Sequence, residues 1–203
     1  GLIKPKEFVK LWRISRVEAV IAAITFATTV LTAPRLYWGV LAGVLMSLSH
    51  FLYLRLHPRI IEVGLHGDGS LRDRHLWSLP PLAPELYALR MDAALDFATA
   101  NAIERNVTEY LTAHPGTRHV MLIAHPINWI DATGVEAFGR LEALLSTKQV
   151  ALHLVGTKLP VENALRAAGQ LAPRENLHLY RTEADALRAC AALRGEAQDW
   201  VSP

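Results

Sequence analysis

From Leu36 to Leu54 the chain reads LYWGVLAGVLMSLSHFLYL, 19 residues without a formal charge. As a helix this run would rise about 28 Å, close to the hydrocarbon thickness of a bilayer. A shorter apolar stretch, Val17 to Leu31 (VEAVIAAITFATTVL), precedes it, and Thr32-Ala33-Pro34-Arg35 separates the two. Pro34 has no N–H to donate and fits a helix start, so the pair is expected to form a tight helical hairpin. The first arm is short for a full crossing and would need local thinning or neighbouring helices to complete one. Two other origins fit the residues less well. Pro34 directly after Leu31-Thr32-Ala33, followed at once by a longer apolar run, argues against a cleaved signal peptide. A buried hairpin of a soluble protein would carry a polar stripe, and the second arm offers only Ser47, Ser49 and His50.

Charge follows the same division. Residues 1–63 hold Lys4, Lys6, Lys10, Arg13, Arg16, Arg35, Arg55 and Arg59 against Glu7, Glu18 and Glu62. The remainder is mildly acidic. A basic, apolar head before such a body is the asymmetry of a membrane segment joined to a soluble domain. The net charge of the whole chain is only +2, which gives no case for nucleic acid. Basic flanks at both ends of the hairpin, with Arg35 alone in its turn, place both ends on the cytoplasmic side. Trp12, Tyr37, Trp38 and Tyr53 fall near the expected interfaces, where aromatic rings are favoured. Gly39, Gly43 and Ser47 form a small-residue row of the kind that lets membrane helices approach closely. The chain begins at Gly1 rather than Met, so a processed product or a piece of a longer protein is expected.

Beyond the hairpin the pattern changes. Residues 64–84 contain Gly64, Gly67, Gly69, Pro80, Pro81 and Pro84 and read as a linker. Leu86–Arg90 and Ala94–Phe97 read as strands, and Thr99 as the cap of a helix running to about Leu111. His119–Ala124 is a continuous apolar run, expected to be a central strand covered on both faces. Val135, Phe138, Leu141, Leu144 and Leu145 recur at helical spacing. Val150–Val155 reads as a strand, Val161–Ala168 as a helix ended by Gly169, and Leu177–Tyr180 as an edge strand. Thr182 to Asp185 opens a last helix. The expected order, β-β-α-β-α-β-α-β-α, implies an α/β fold with a mostly parallel sheet flanked by helices. The boundaries read as a helical hairpin over 1–63, the linker over 64–84, an α/β domain over 85–195 and a tail over 196–203.

Several local motifs, in order, resemble the C-terminal part of the SulP anion transporter family. Ser15-Arg16-Val17-Glu18-Ala19 looks like its S-R-x-E-A, and Thr25-Phe26-Ala27-Thr28 like its T-F-x-x-T. Gly39 to Ser47 (GVLAGVLMS) looks like its G-[I/V]-x-x-G-[I/V]-x-x-S. Leu95-Asp96-Phe97-Ala98-Thr99 stands where the family often has L-Y-F-A-N, and Ile130-Asp131-Ala132-Thr133-Gly134 matches its I-D-x-[S/T]-G. The resemblance covers about residues 4–193. It implies the last two membrane helices of a sulfate permease-like secondary transporter running into a cytoplasmic STAS domain. That domain would regulate transport and support homodimer assembly, with a cytoplasmic protein partner. The anion site would lie upstream of this chain, and no catalytic residue, cofactor or metal is implied. Ala132 is a departure. The free-standing STAS proteins of the anti-sigma-factor-antagonist type carry a phosphorylated Ser at that position, and Ala132 has no hydroxyl. The alternative of a membrane-tethered signalling module of that type, acting by protein contact, therefore lacks its switch residue.

The loop before the third helix of the body is the most informative segment. Thr133-Gly134-Val135-Glu136 reads as a capping box, and Asp131 sets a carboxylate near the positive helix end. The simplest reading is a well-capped helix. The functional one is a regulatory loop of Asp131, Thr133, Gly134 and Glu136, with Ile127, Trp129 and Ile130 as an exposed apolar contact patch. His114, His119 and His125 lack ligand spacing for a metal. The single Cys190 excludes an internal disulfide and a Cys-based zinc site.

Overall fold

The computed structural model describes residues 5–193 and divides the chain into a helical unit up to Arg55 and an α/β unit from Leu56. In the first, α1 (Pro5–Ile14), α2 (Arg16–Leu31) and α3 (Tyr37–Leu56) follow one another. Ser15 caps α2, its Oγ accepting from the N–H of Glu18 at 3.3 Å. The threonines that interrupt the apolar pattern of α2 satisfy themselves. Thr25 and Thr29 donate to the carbonyls of Ile21 and Thr25, and Thr32, just past the helix end, donates to that of Thr28, at 2.7–2.8 Å. A polar side chain that bonds its own backbone can sit in an apolar environment at little cost. Pro34 lies in the turn, and α3 begins only at Tyr37.

α2 and α3 meet where the side chains are smallest. A Cβ built on Gly39 would lie 2.6 Å from the Cα of Thr29, and one on Gly43 would lie 2.7 Å from the Cγ2 of Thr25. Hydrogen at these positions is what permits the approach. Ser47, next in the row, is exposed. α3 is long and apolar enough to cross a membrane, and only 6% of its apolar window is buried within the protein. α2, with 16 residues, rises only about 24 Å. Pro5–Ile14, which the sequence offers only as a basic flank, form the helix α1.

The α/β unit is a six-stranded sheet in the order β2-β1-β3-β4-β5-β6. Its strands are β1 (Ile60–Leu65), β2 (Leu71–Asp73), β3 (Leu86–Met91), β4 (His119–Ile123), β5 (Ala151–Val155) and β6 (Leu177–Tyr180). β3 to β6 run parallel, and β1 is antiparallel to both β2 and β3. α4 (Ala100–Ala113), α5 (Ala132–Thr147) and α6 (Leu159–Ala167) cover one face, where Ile103, Phe138 and Leu165 pack on Leu89, Leu122 and Leu152. α7 (Glu183–Leu193) brings Ala186 and Cys190 to the other face, against Met121, Ile123 and Val155. The mostly parallel sheet flanked by helices is therefore observed, with β4 at its centre and β6 at its edge.

Two expectations are corrected. The sequence pattern assigns residues 60–63 to the helical segment and 64–84 to a linker. Instead β1 and β2 form a hairpin on the sheet edge, and Ile61, Glu62, Val63 and Gly64 are all buried. Gly67 and Gly69 belong to the turn of that hairpin, and Gly69 has a positive φ of 81°. Turn glycines and linker glycines look alike until their strands are paired. Ala94–Phe97 is not a strand, although Leu95 makes a single parallel bridge to Ile130. Asp96 and Thr99, both buried, fold this segment into turns. Asp96 Oδ1 accepts from the N–H of Ala98, while Thr99 Oγ1 accepts from the N–H of Asp96 and donates to the carbonyl of Ala94. Side chains that offer the backbone local partners displace it from a ladder. Thr99 is thus spent on this turn and makes no side-chain cap on α4.

Candidate functional site

The loops that leave the carboxyl ends of β3 and β4 are tied to each other at the start of α5. The N–H of Leu95 donates to the carbonyl of Trp129 at 3.1 Å, and the N–H of Asp131 donates to that of Leu95 at 3.3 Å. Asp131 completes the joint. Its Oδ1 accepts from the N–H of Gly134 at 2.8 Å, and its Oδ2 accepts from the N–H of Phe97 at 3.1 Å. One carboxylate therefore caps α5 and holds the loop that leads into α4. Gly134 lies directly against the carbonyl of Leu95, where a Cβ would come within 2.1 Å of its oxygen.

This changes the reading of the loop. The helix start is capped by Asp131 and not by Thr133, because α5 begins at Ala132 and Thr133 already lies inside its first turn. Thr133 and Glu136 are exposed. A modification of Thr133 would leave the cap in place, because Asp131 makes it. An anion at the same helix end would face the Asp131 carboxylate. Asp131→Ala removes acceptors from two N–H groups on separate segments. We expect a loss of about 1–2 kcal/mol, read as a lower urea midpoint of a chain beginning at Leu56. A shift below a few tenths would show that water replaces the carboxylate.

The expected apolar patch is split by the fold. Ile127 and Ile130 are buried in the main core. Trp129 is 52% exposed, and Phe97, on the facing loop, is 68% exposed. The two rings flank the joint that Asp131 makes. Sequence reasoning missed Phe97 because its segment was read as a strand. Its place in the Leu95–Thr99 motif, next to residues that turn inward, was the signal available.

Two further polar clusters lie in this unit. Glu62 is buried beneath the β1–β2 hairpin, where its carboxylate meets Arg74 at 2.6 Å and His75 at 3.0 Å. Beside it the ring of Tyr110 stacks on Tyr87 at 3.6 Å and on His114 at 4.2 Å. Burial first, and then the Glu62 charge, push the Tyr87 hydroxyl well above its ordinary range, so it stays protonated and donates to Asn106 Oδ1 at 2.7 Å. The second cluster is a row of imidazoles. His119 Nδ1 and His153 Nε2 are 3.1 Å apart, His153 Nδ1 and Tyr180 Oη are 3.1 Å apart, and His178 stacks on His153 at 4.8 Å. Burial, then the neighbouring His178 and His119, push His153 down to about 4. His153 bonds to both His119 and Tyr180, and no group of three or more ligating side chains converges on a metal position among the described residues.

The STAS domain family model matches residues 81–186. This chain belongs to the STAS domain family. The match to known proteins extends past the domain. A "Probable sulfate transporter" of Mycobacterium tuberculosis is 27% identical over 190 residues, which is 93% of this chain and 34% of the relative. "High affinity sulfate transporter 2" of Stylosanthes hamata is 24% identical over 92% of this chain and 30% of its own length. The chain thus spans about a third of the curated relatives it matches. The solved structure of murine Solute Carrier 26 family member A9, an anion transporter, in its inward-facing state superposes with a TM-score of 0.75. The likeness covers 91% of this chain and 30% of the murine one at 17% identity. It is a likeness of fold. The SulP resemblance carried by the motifs therefore runs through the helices as well as the STAS domain, and the relatives named here are transporters.

Proposed function

We propose that this chain is the C-terminal portion of a SulP-type secondary anion transporter. In this reading α2 and α3 lie in the inner membrane and the STAS domain lies in the cytoplasm. The observation that carries it is the sulfate transporter similarity over 93% of the chain, running unbroken from the helical unit into the STAS domain. The apolar surface that α3 leaves uncovered supports it, because such a face is stable only against lipid or further helices. The STAS domain regulates transport and supports homodimer assembly. It acts by contact and movement rather than by chemistry. Phe97 and Trp129 are the contact residues for a cytoplasmic partner, and Asp131, Thr133, Gly134 and Glu136 form the loop that positions them. The transported anion, sulfate or another, binds outside these residues.

Two measurements test this. An alkaline carbonate wash of membranes should leave the full chain in the pellet and release a chain that begins at Leu56. Release of both would end the membrane assignment. In the intact transporter, Thr133→Glu adds a charge three residues before Glu136 on the exposed first turn of α5. Like charges at this spacing repel by a few tenths of a kcal/mol each. The expected result is anion flux altered about twofold or more with folding unchanged, and Thr133→Ala without effect. Flux equal to wild type in both variants would remove the loop from regulation.

A further inference from the structure

We propose that α1 is a surface helix that binds the phosphate of anionic lipid headgroups. The inference builds on the membrane assignment above and names a ligand that the assignment does not supply. Three observations meet in this one helix. Phe8, Leu11 and Trp12, at i, i+3 and i+4, share a face. Phe8 and Trp12 leave their rings exposed with centroids 6.5 Å apart, and of this face only Leu11 is partly covered. Lys6, Lys10 and Arg13, at i, i+4 and i+7, share a different face. Together with Val9 these three cations line an open hollow of about 370 Å³. The only acid in the helix is Glu7.

An exposed aromatic pair beside a cluster of three cations is costly in water and is relieved at a bilayer surface. There the rings enter the acyl boundary, while the Lys and Arg stems extend to the phosphate layer. A protein partner could cover the rings, yet it would have to supply acidic groups in the same register. An anionic lipid leaflet supplies them everywhere, and it adjoins α3 if that helix spans the membrane. The charge complementarity therefore selects lipid phosphate. The hollow, ringed by three cations, is the place where one headgroup sits.

The test uses the full chain in mild detergent, equilibrated with an equimolar mixture of phosphatidylcholine and phosphatidylglycerol. The ratio of the two lipids retained after purification is then measured. Wild type should retain phosphatidylglycerol in excess. Lys6→Gln should weaken this preference by about fivefold, the effect of one basic residue near an anionic surface. The triple variant Lys6→Gln/Lys10→Gln/Arg13→Gln should abolish it. Lys6→Arg/Lys10→Arg keeps the charge and should keep the preference, which separates charge from a folding defect. An unchanged ratio in the triple variant places the lipid site elsewhere and overturns the proposal. Loss of phosphatidylglycerol when inorganic phosphate is added at equal concentration would make this a free-phosphate site, which also overturns it. The carbonate wash separates the two readings. A chain that resists the wash without lipid preference sinks this inference alone. A chain that washes off yet keeps the preference sinks only the membrane-spanning reading.

Discussion

Replacing Gly134 by Ala should destabilise the α/β unit by about 3 kcal/mol, although Ala is the better helix former. Two effects of opposite sign compete. Ala in place of Gly inside a helix gains about 1 kcal/mol of propensity. Against this, the new methyl would stand 2.1 Å from the oxygen and 2.8 Å from the carbon of the Leu95 carbonyl. That obstacle is backbone, held by the Leu95 to Trp129 and Asp131 to Leu95 hydrogen bonds, so it cannot rotate away. Relief requires the β3–α4 loop to move and the joint made by Asp131 to open. Gly139, one and a half turns along the same helix, supplies the contrast. The nearest atoms to a Cβ there are those of the side-chain amide of Gln170, from 2.7 Å. That group is flexible, so Gly139→Ala should be neutral or stabilising by up to about 1 kcal/mol. Urea denaturation of both variants, in a chain beginning at Leu56, gives the comparison. Equal midpoints would show that the contact with Leu95 carries no strain. Gly134→Ala should also displace Phe97 and Trp129 together.

Acid should weaken the same unit through His153. This side chain is only 4% exposed. The groups around it are His119 on β4, His178 and Tyr180 on β6, and Cys190 of α7 beside Tyr180. None is a carboxylate, so nothing there favours a charged imidazole. Its value in the folded chain is pushed down to about 4 from 6.5. Below the unfolded value, the unfolded chain binds a proton that the folded chain refuses. The stability contributed by neutral His153 is therefore complete above about pH 6.5 and is lost as the pH falls toward about 4. The difference amounts to about 3 kcal/mol at most. His119, partly buried, is also pushed down, first by burial, and acts in the same direction. His153→Gln keeps partners for His119 and Tyr180 but cannot titrate. Unfolding free energies measured at pH 7.5, 6, 5 and 4 should fall more steeply for wild type than for this variant. Parallel curves would assign the acid sensitivity to carboxylates elsewhere.

Wherever burial was the only force at work, the elements could be read from the residues. The run from His119 to Ala124 has no polar side to turn outward after its first residue, so it had to become the central strand. The apolar run from Leu36 had no polar stripe, so it had to be a helix without a water-facing side. Gly39 and Gly43 stand at the spacing of one helix turn, and the place of closest approach to α2 falls on them. The family motifs were legible for the same reason, being sequence patterns that recur at fixed spacing.

Other features depend on partners that are distant in sequence, and there the residues alone misled. Ile60–Leu65 straddles the expected boundary between the hairpin's flank and the linker, and becomes a strand because β3 offers it a free edge. Thr99 and Thr133 are both good capping residues by type. Neither caps, because the turn at Asp96 claims the first and Asp131 already serves the second helix. Ile127 and Ile130 were indistinguishable from Trp129 in a loop sequence, and only the core behind them separates buried from exposed.

The sequence by itself determined the division into a basic helical head and an α/β body, the central strands, and the family, because these follow from hydrophobic pattern and local motif. The tertiary structure alone decided which carboxylate caps α5, that one Asp joins two loops, and which aromatic rings remain exposed at that joint. It also brought three histidines from three separate strands into one row. Hydrogen-bond geometry and burial are properties of segments brought together, and no spacing along the chain encodes them.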